Sequence, residues 1–142
     1  MYNRLYIGAS KKWLCSTNTS TIHNILNIAL KNNINIIDIN HSNSNVDNEK
    51  LSSFNQLNQF KLISNHSADL ELNDIYKNVE SILKLYNQNL IYCYNLSNIT
   101  NINYKPMISQ LLTLKQYNLI NKIGLNDCYD LDLIKLIHEG QE

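Results

Sequence analysis

Apolar and polar positions along this chain follow two different periods. Leu5-Tyr6-Ile7, Ile34 to Ile39, Phe60 to Ile63, Leu90 to Tyr94 and Lys122 to Leu125 are short aliphatic or β-branched runs. Their length and composition are those of buried strands. Between the runs, apolar residues return every three or four positions, as they do along one face of a helix. Ile22, Ile25, Leu26, Ala29 and Leu30 make the first such face, with Thr19, Ser20 or Thr21 available to cap it. It should end near Asn32-Asn33, because asparagine tolerates the left-handed turn conformation. Ile75, Val79, Ile82, Leu83 and Tyr86 make a second face, with Asn73 or Asp74 as its cap. Ile108, Leu111, Leu112 and Leu119 make a third, after Pro106, which suits a first helical turn. Leu133, Ile134 and Ile137 make the last. A weak helix is expected around Glu49 to Phe54, a polar loop over Asn40 to Asn45, and a loop with a partly buried aromatic at Lys11-Lys12-Trp13.

The order is strand then helix, five times over. Alternation at this spacing predicts right-handed βαβ units and a parallel sheet, within a single domain spanning 1–142. Five such units fit an open doubly wound sheet, or five of the eight units of a (β/α)8 barrel. Periodicity does not separate these. The turn after the first strand, Gly8-Ala-Ser-Lys-Lys-Trp, is no G-x-G-x-x-G, so a classical dinucleotide fold is disfavoured. A flavodoxin-like sheet stays open.

Composition narrows the partners. Lys plus Arg and Asp plus Glu are both 12, so the net charge is zero and no basic footprint for nucleic acid is visible. No run nears the roughly 18 apolar residues that span a bilayer, and the N-terminus lacks a signal-peptide core. The chain reads as cytoplasmic and away from membranes. Cys15, Cys93 and Cys128 are odd in number and far apart, which fits reduced thiols. Asparagine makes up about one residue in six. It is interleaved with regularly spaced Ile and Leu, so a coding bias explains it better than low complexity does.

Six segments, in order and in register, resemble the aldo-keto reductase family. Ile25-Leu-Asn-Ile-Ala-Leu-Lys-Asn-Asn-Ile-Asn-Ile-Ile-Asp38 is similar to its "A-x-x-x-G-I-x-x-I-D-T-A", with Asn33 where the family has glycine. Asn48-Glu49-Lys50-Leu51 resembles "S-E-x-x-L-G", and Phe60 to Ser64 the third strand, "x-x-I-x-T-K". Ile75 to Leu85 resembles the helix with "S-L-x-x-L", and Leu90 to Tyr94 the strand "D-x-x-x-x-H". Leu114 to Gly124 is similar to "L-K-x-x-G-x-I-R-x-I-G-V-S". The resemblance implies a partial TIM barrel of about five βα units, with its site at the C-terminal strand ends. It also implies NADP as cofactor and a small carbonyl compound as substrate.

In that family a tyrosine protonates the nascent alkoxide, a lysine lowers the tyrosine's pKa, an aspartate holds the lysine and a histidine orients the substrate. Carried over, the aspartate is Asp38. The tyrosine position falls at Asn43, or at Asn45 if Glu49 is the anchor. The lysine position falls at Asn65, the histidine position at Tyr94, and the pair that would hold the nicotinamide amide at Asn126 and Asp127. An asparagine amide has no proton to give near neutral pH and no charge to stabilise a phenolate. The chain is therefore expected to be a fragment or decayed relative with little activity, or a non-catalytic binding domain. Tyr94 is the one phenol left as a relocated acid. Open barrel edges favour self-association. A rival cluster of Asp38, His41, His66, Asp127 and Cys128 has ligand types that suit zinc, but no spacing motif supports it, and no metal is expected.

Overall fold

The computed structural model describes residues 5–39, 45–67, 75–99, 104–126 and 130–139. In chain order they form β1 (Ile7–Ala9), α1 (Lys11–Ser16), α2 (Thr19–Lys31), β2 (Ile36–Ile39), α3 (Asn45–Ser52), β3 (Lys61–Ser67), α4 (Ile75–Leu85), β4 (Ile91–Ser97), α5 (Tyr104–Gln116), β5 (Ile120–Asn126) and α6 (Leu131–Glu139). A 3-10 turn at Leu57–Gln59 leads into β3.

All five strands are parallel and stand in the order β1-β2-β3-β4-β5. A doubly wound sheet would reverse direction at a switch point. This one never does, so the flavodoxin-like alternative falls and the partial barrel stands.

Three of these helices, α2, α4 and α5, each bury one stripe in the core they share with the sheet. Ile22, Leu26 and Ala29 of α2, Ile75, Val79 and Ile82 of α4, and Met107, Leu111 and Leu114 of α5 meet Ile37, Ile39, Leu62, Tyr94 and Leu96. Burying one such aliphatic side chain contributes about 1.5–3 kcal/mol. Ile25, expected on the buried stripe, is 37% exposed, because the stripe on α2 is narrower than the pattern suggests.

Three helices end in the same way. Asn33, Asn87 and Asn118 follow α2, α4 and α5 with φ of 59°, 49° and 58°. The next amide in each case donates back to a carbonyl five residues earlier: Ile34 to Ala29 (2.9 Å), Gln88 to Leu83 (3.0 Å) and Leu119 to Leu114 (3.0 Å). This is the left-handed helix cap that glycine usually supplies. No described glycine has a positive φ, so asparagine has taken that role. It also explains why Leu119, expected on the α5 face, lies beyond the helix.

Other boundaries moved for tertiary reasons. Lys11-Lys12-Trp13, expected as a loop, opens the helix Lys11–Ser16, which is capped by Ser10, whose Oγ accepts from the Trp13 amide at 3.2 Å. The Lys50 ammonium closes its other end, donating to the carbonyls of Leu14 (2.6 Å) and Thr17 (3.2 Å). A cation there also suits the helix dipole. No local signal announces a lysine 36 residues away. The α2 cap is Asn18 rather than Thr19, Ser20 or Thr21, with Oδ1 accepting from the Thr21 amide at 2.8 Å. The first strand shifts from Leu5–Ile7 to Ile7–Ala9, in register with Ile37–Ile39. The helix expected from Glu49 to Phe54 begins at Asn45 and ends at Ser52. The expected caps Asn73 and Asp74 lie outside the described residues.

Candidate functional site

The side of the sheet away from the helices carries the chemistry. In β3, buried Leu62, Ser64 and His66 alternate with Lys61, Ile63, Asn65 and Ser67. In β4 and β5 the alternation slips once. Two unburied residues, Tyr92 and Cys93, sit between buried Ile91 and Tyr94, and Asn121 and Lys122 sit between Ile120 and Ile123. The open face thus gathers Asp38, Asn65, Cys93, Asn95, Gly124 and Asn126 from four neighbouring strands.

These groups form one hydrogen-bonded row. Asn65 Nδ2 donates to Asp38 Oδ1 at 2.7 Å. Asn65 Oδ1 accepts from Asn95 Nδ2 at 3.0 Å and from Asn126 Nδ2 at 2.8 Å. The Cys93 thiol donates to Asn95 Oδ1 at 3.2 Å. Asp38 sets the polarity of the whole row. An ionised carboxylate only accepts, so Asn65 must turn its NH2 toward it, and its carbonyl then takes the other two amides. Gly124 gives the row its room: a Cβ there would run into the Asn95 amide and press on the Cys93 sulfur. Asp38 and Asn65, with Gly8, Ala9 and Ser10, also line a cleft of about 320 Å³.

Burial raises the Asp38 pKa, and the Asn65 N–H partly offsets this. Burial also raises the Cys93 thiol. Lys122 pulls it back and the charge of Asp38 pushes it further up, so Cys93 is not a ready thiolate.

The carried-over positions fare differently. Asp38, Asn65 and Asn126 converge, through Asn65. Tyr94 does not join them. It pairs with Ser64 and Ile123 on the helix side, is fully buried, and donates its hydroxyl to Asn78 Oδ1 of α4 at 2.9 Å. Burial raises its phenol pKa further. Its neighbours Cys93 and Asn95 are the β4 residues that face the site. The expectation stopped the strand at Tyr94; the strand runs on to Ser97, and a period of two from Cys93 would have found Asn95. His66 is likewise on the helix side, its ring 6.0 Å from that of Tyr94. It is therefore turned away from Asp38, against the zinc-like cluster. Among the described residues no group of three or more His, Cys, Asp or Glu converges. Asn43, His41, Asp127 and Cys128 lie outside the described residues, and Asn45 opens α3.

Comparison of the sequence with protein-family models and with curated proteins finds no match. Comparison of the fold with solved structures does. An aldo-keto reductase from Klebsiella pneumoniae in complex with NADPH superposes with a TM-score of 0.78 at 13% identity, covering 96% of this chain and 50% of that one. The glycerol dehydrogenase of Gluconobacter oxydans gives 0.75 at 14%, covering 96% and 48%. The holo form of a Bacillus halodurans aldo-keto reductase gives 0.73 at 17%, covering 98% and 50%. This is the aldo-keto reductase fold. The chain spans about half the length of the reductase structures it matches. Among the described residues no helix is long and apolar enough to cross a membrane.

Proposed function

We propose that this chain is a binding domain built on an aldo-keto reductase scaffold, and that it does not itself reduce carbonyls. One observation carries the reading: Asp38, which in the family would hold a lysine, holds the amide of Asn65, and the rest of the row is amide as well. Carbonyl reduction needs a proton donor for the alkoxide and a positive charge to tune it. An amide row supplies neither. It offers a fixed set of donors and acceptors, which suits holding a small polar molecule.

The reading is tested with the 142-residue chain, NADPH and a panel of small aldehydes. No turnover is expected, and no saturable change in the fluorescence of Trp13 and the tyrosines on adding NADPH. Saturation at micromolar NADPH, or turnover that Asp38→Asn abolishes, would overturn it.

Length favours a second reading. The outer edges of β1 and β5 have no strand partner among the described residues, and the matched structures are about twice as long. Further βα units, or a second copy, would pair with those edges, since exposed edges recruit strands. In that case the site is completed by the added units and NADP binding returns with them. Sequencing past the codon for Glu142 and measuring the mass of the chain in solution separate the two.

A further inference from the structure

We propose, on the footing that the chain is a binding domain, that the molecule held beside the amide row carries a primary ammonium group, which pairs with Asp38 in the cleft next to Gly8. Asp38 and Asn65 line one cleft of about 320 Å³ with Gly8, Ala9 and Ser10. Gly8 stands opposite Asp38 in the register of β1 on β2, so the two share a face of the sheet. A Cβ at Gly8 would meet no atom within 4 Å. The space beside the carboxylate is therefore open, and a glycine keeps it so.

Charge selects the ligand. Asp38 Oδ1 accepts from Asn65 Nδ2 at 2.7 Å, and among the described residues Oδ2 has no donor and the carboxylate no cation. Lys122 acts on the Cys93 thiol and not on Asp38. Lys11 and Lys12, which follow Ser10, are exposed and make no ion pair with Asp38. Asn65 has no acceptor to spare, since its carbonyl already takes the amides of Asn95 and Asn126. Among the side chains lining the cleft, Asp38 Oδ2 is thus the charged acceptor left open. A half-buried carboxylate without a cation is costly, and burial raises its pKa accordingly. A ligand cation offsets that cost through a charge-assisted hydrogen bond. An ammonium suits a single open oxygen, whereas the fork of a guanidinium needs both, and Asn65 occupies one. The Ser10 hydroxyl, which accepts from the Trp13 amide, has a lone pair left for a second ammonium hydrogen.

The test is an NMR titration of the 142-residue chain at pH 7 with ethanolamine, ethylene glycol and methylguanidinium at matched ionic strength. Ethanolamine should shift the Gly8 and Asp38 amides and the Asn65 side-chain NH2 saturably, and bind roughly tenfold more tightly than ethylene glycol. The Asp38 carboxyl carbon should titrate at lower pH when ethanolamine saturates the chain. Asp38→Asn should abolish the preference for ethanolamine over the glycol. Gly8→Val leaves the carboxylate in place but fills the open space, and should weaken ethanolamine binding roughly tenfold or more. If ethylene glycol binds as tightly as ethanolamine, the ammonium is overturned while the binding-domain reading stands. Methylguanidinium binding as tightly as ethanolamine overturns the choice of an ammonium. If none of the three gives saturable shifts in the row, both readings fall. Shifts that persist undiminished in Asp38→Asn and Gly8→Val place the ligand elsewhere and overturn the site.

Discussion

The two faces of the β-sheet differ in what they ask of a side chain. The helix side is dry: Leu62, Tyr94 and Leu96 are fully buried, and the Tyr94 hydroxyl goes no further than Asn78. The open side is wet: Asp38, Asn65, Asn95 and Asn126 are half-exposed and bonded to one another, with Lys61 and Lys122 exposed beyond them. Closed (β/α)8 barrels fill their interior with layers of branched aliphatic residues. Here that surface carries amides and charges, which would be costly to bury without partners. One face is therefore selected for packing and the other for polar contacts, and adjacent residues in one strand answer to different physics.

That contrast can be broken most strongly at Leu62 and Ile63. Leu62→Ala should cost about 2–5 kcal/mol, since it opens a cavity in the dry core. Ile63→Ala, one residue along and half-exposed, should cost less than half as much. Equal shifts in urea midpoint would mean that both faces are packed. Next comes Gly124→Ala, which forces the Asn95 amide aside and should cost about 1–3 kcal/mol. The side-chain NH2 resonances of Asn95 and Asn126 should move with it. If only the stability changes and those resonances stay, the row does not depend on Gly124.

Asn118→Gly should stabilise by up to about 1 kcal/mol, because glycine meets no steric penalty at a φ of 58°. Thermal denaturation checks this, and a lower melting temperature would show that the Asn118 side chain has a further role. The smallest effect is expected from Asp38→Asn, and it depends on pH. The folded pKa of Asp38 is raised above 3.8, so its favourable contribution is fully present below that value and is lost as pH rises through the folded pKa. The variant has no such loss. Its stability relative to the parent should therefore increase as pH rises past 3.8, while the amide row loses its fixed polarity. A difference that stays flat with pH would show that the carboxylate is solvated rather than desolvated.

Much of the scaffold was legible in the sequence because its signals are local. Ile75, Val79 and Ile82 repeat at helical spacing and are buried, and Ile36 to Ile39 form a strand as their branching requires. Asn33 at the glycine position of the resemblance does adopt the glycine conformation. The site was legible only in part. Asp38 and Asn65 could be matched to motifs and do meet. Asn95 was missed, and Tyr94 was placed on the wrong face, because a strand's two sides differ by one residue and the strand's end was set too early.

What the sequence determined by itself is the alternation of strands and helices, the helical stripes and the use of asparagine at helix ends, all carried by residues within a few positions of one another. Strand order was decided only in three dimensions, since every βα unit reads alike whichever neighbour it joins. So was the α1 helix, closed by Lys50 from a distant segment, and so was the Asp38–Asn65–Asn95–Asn126 row. Its members are separated by 27 to 61 residues wherever they bond across strands. Only the register of four parallel strands brings them together.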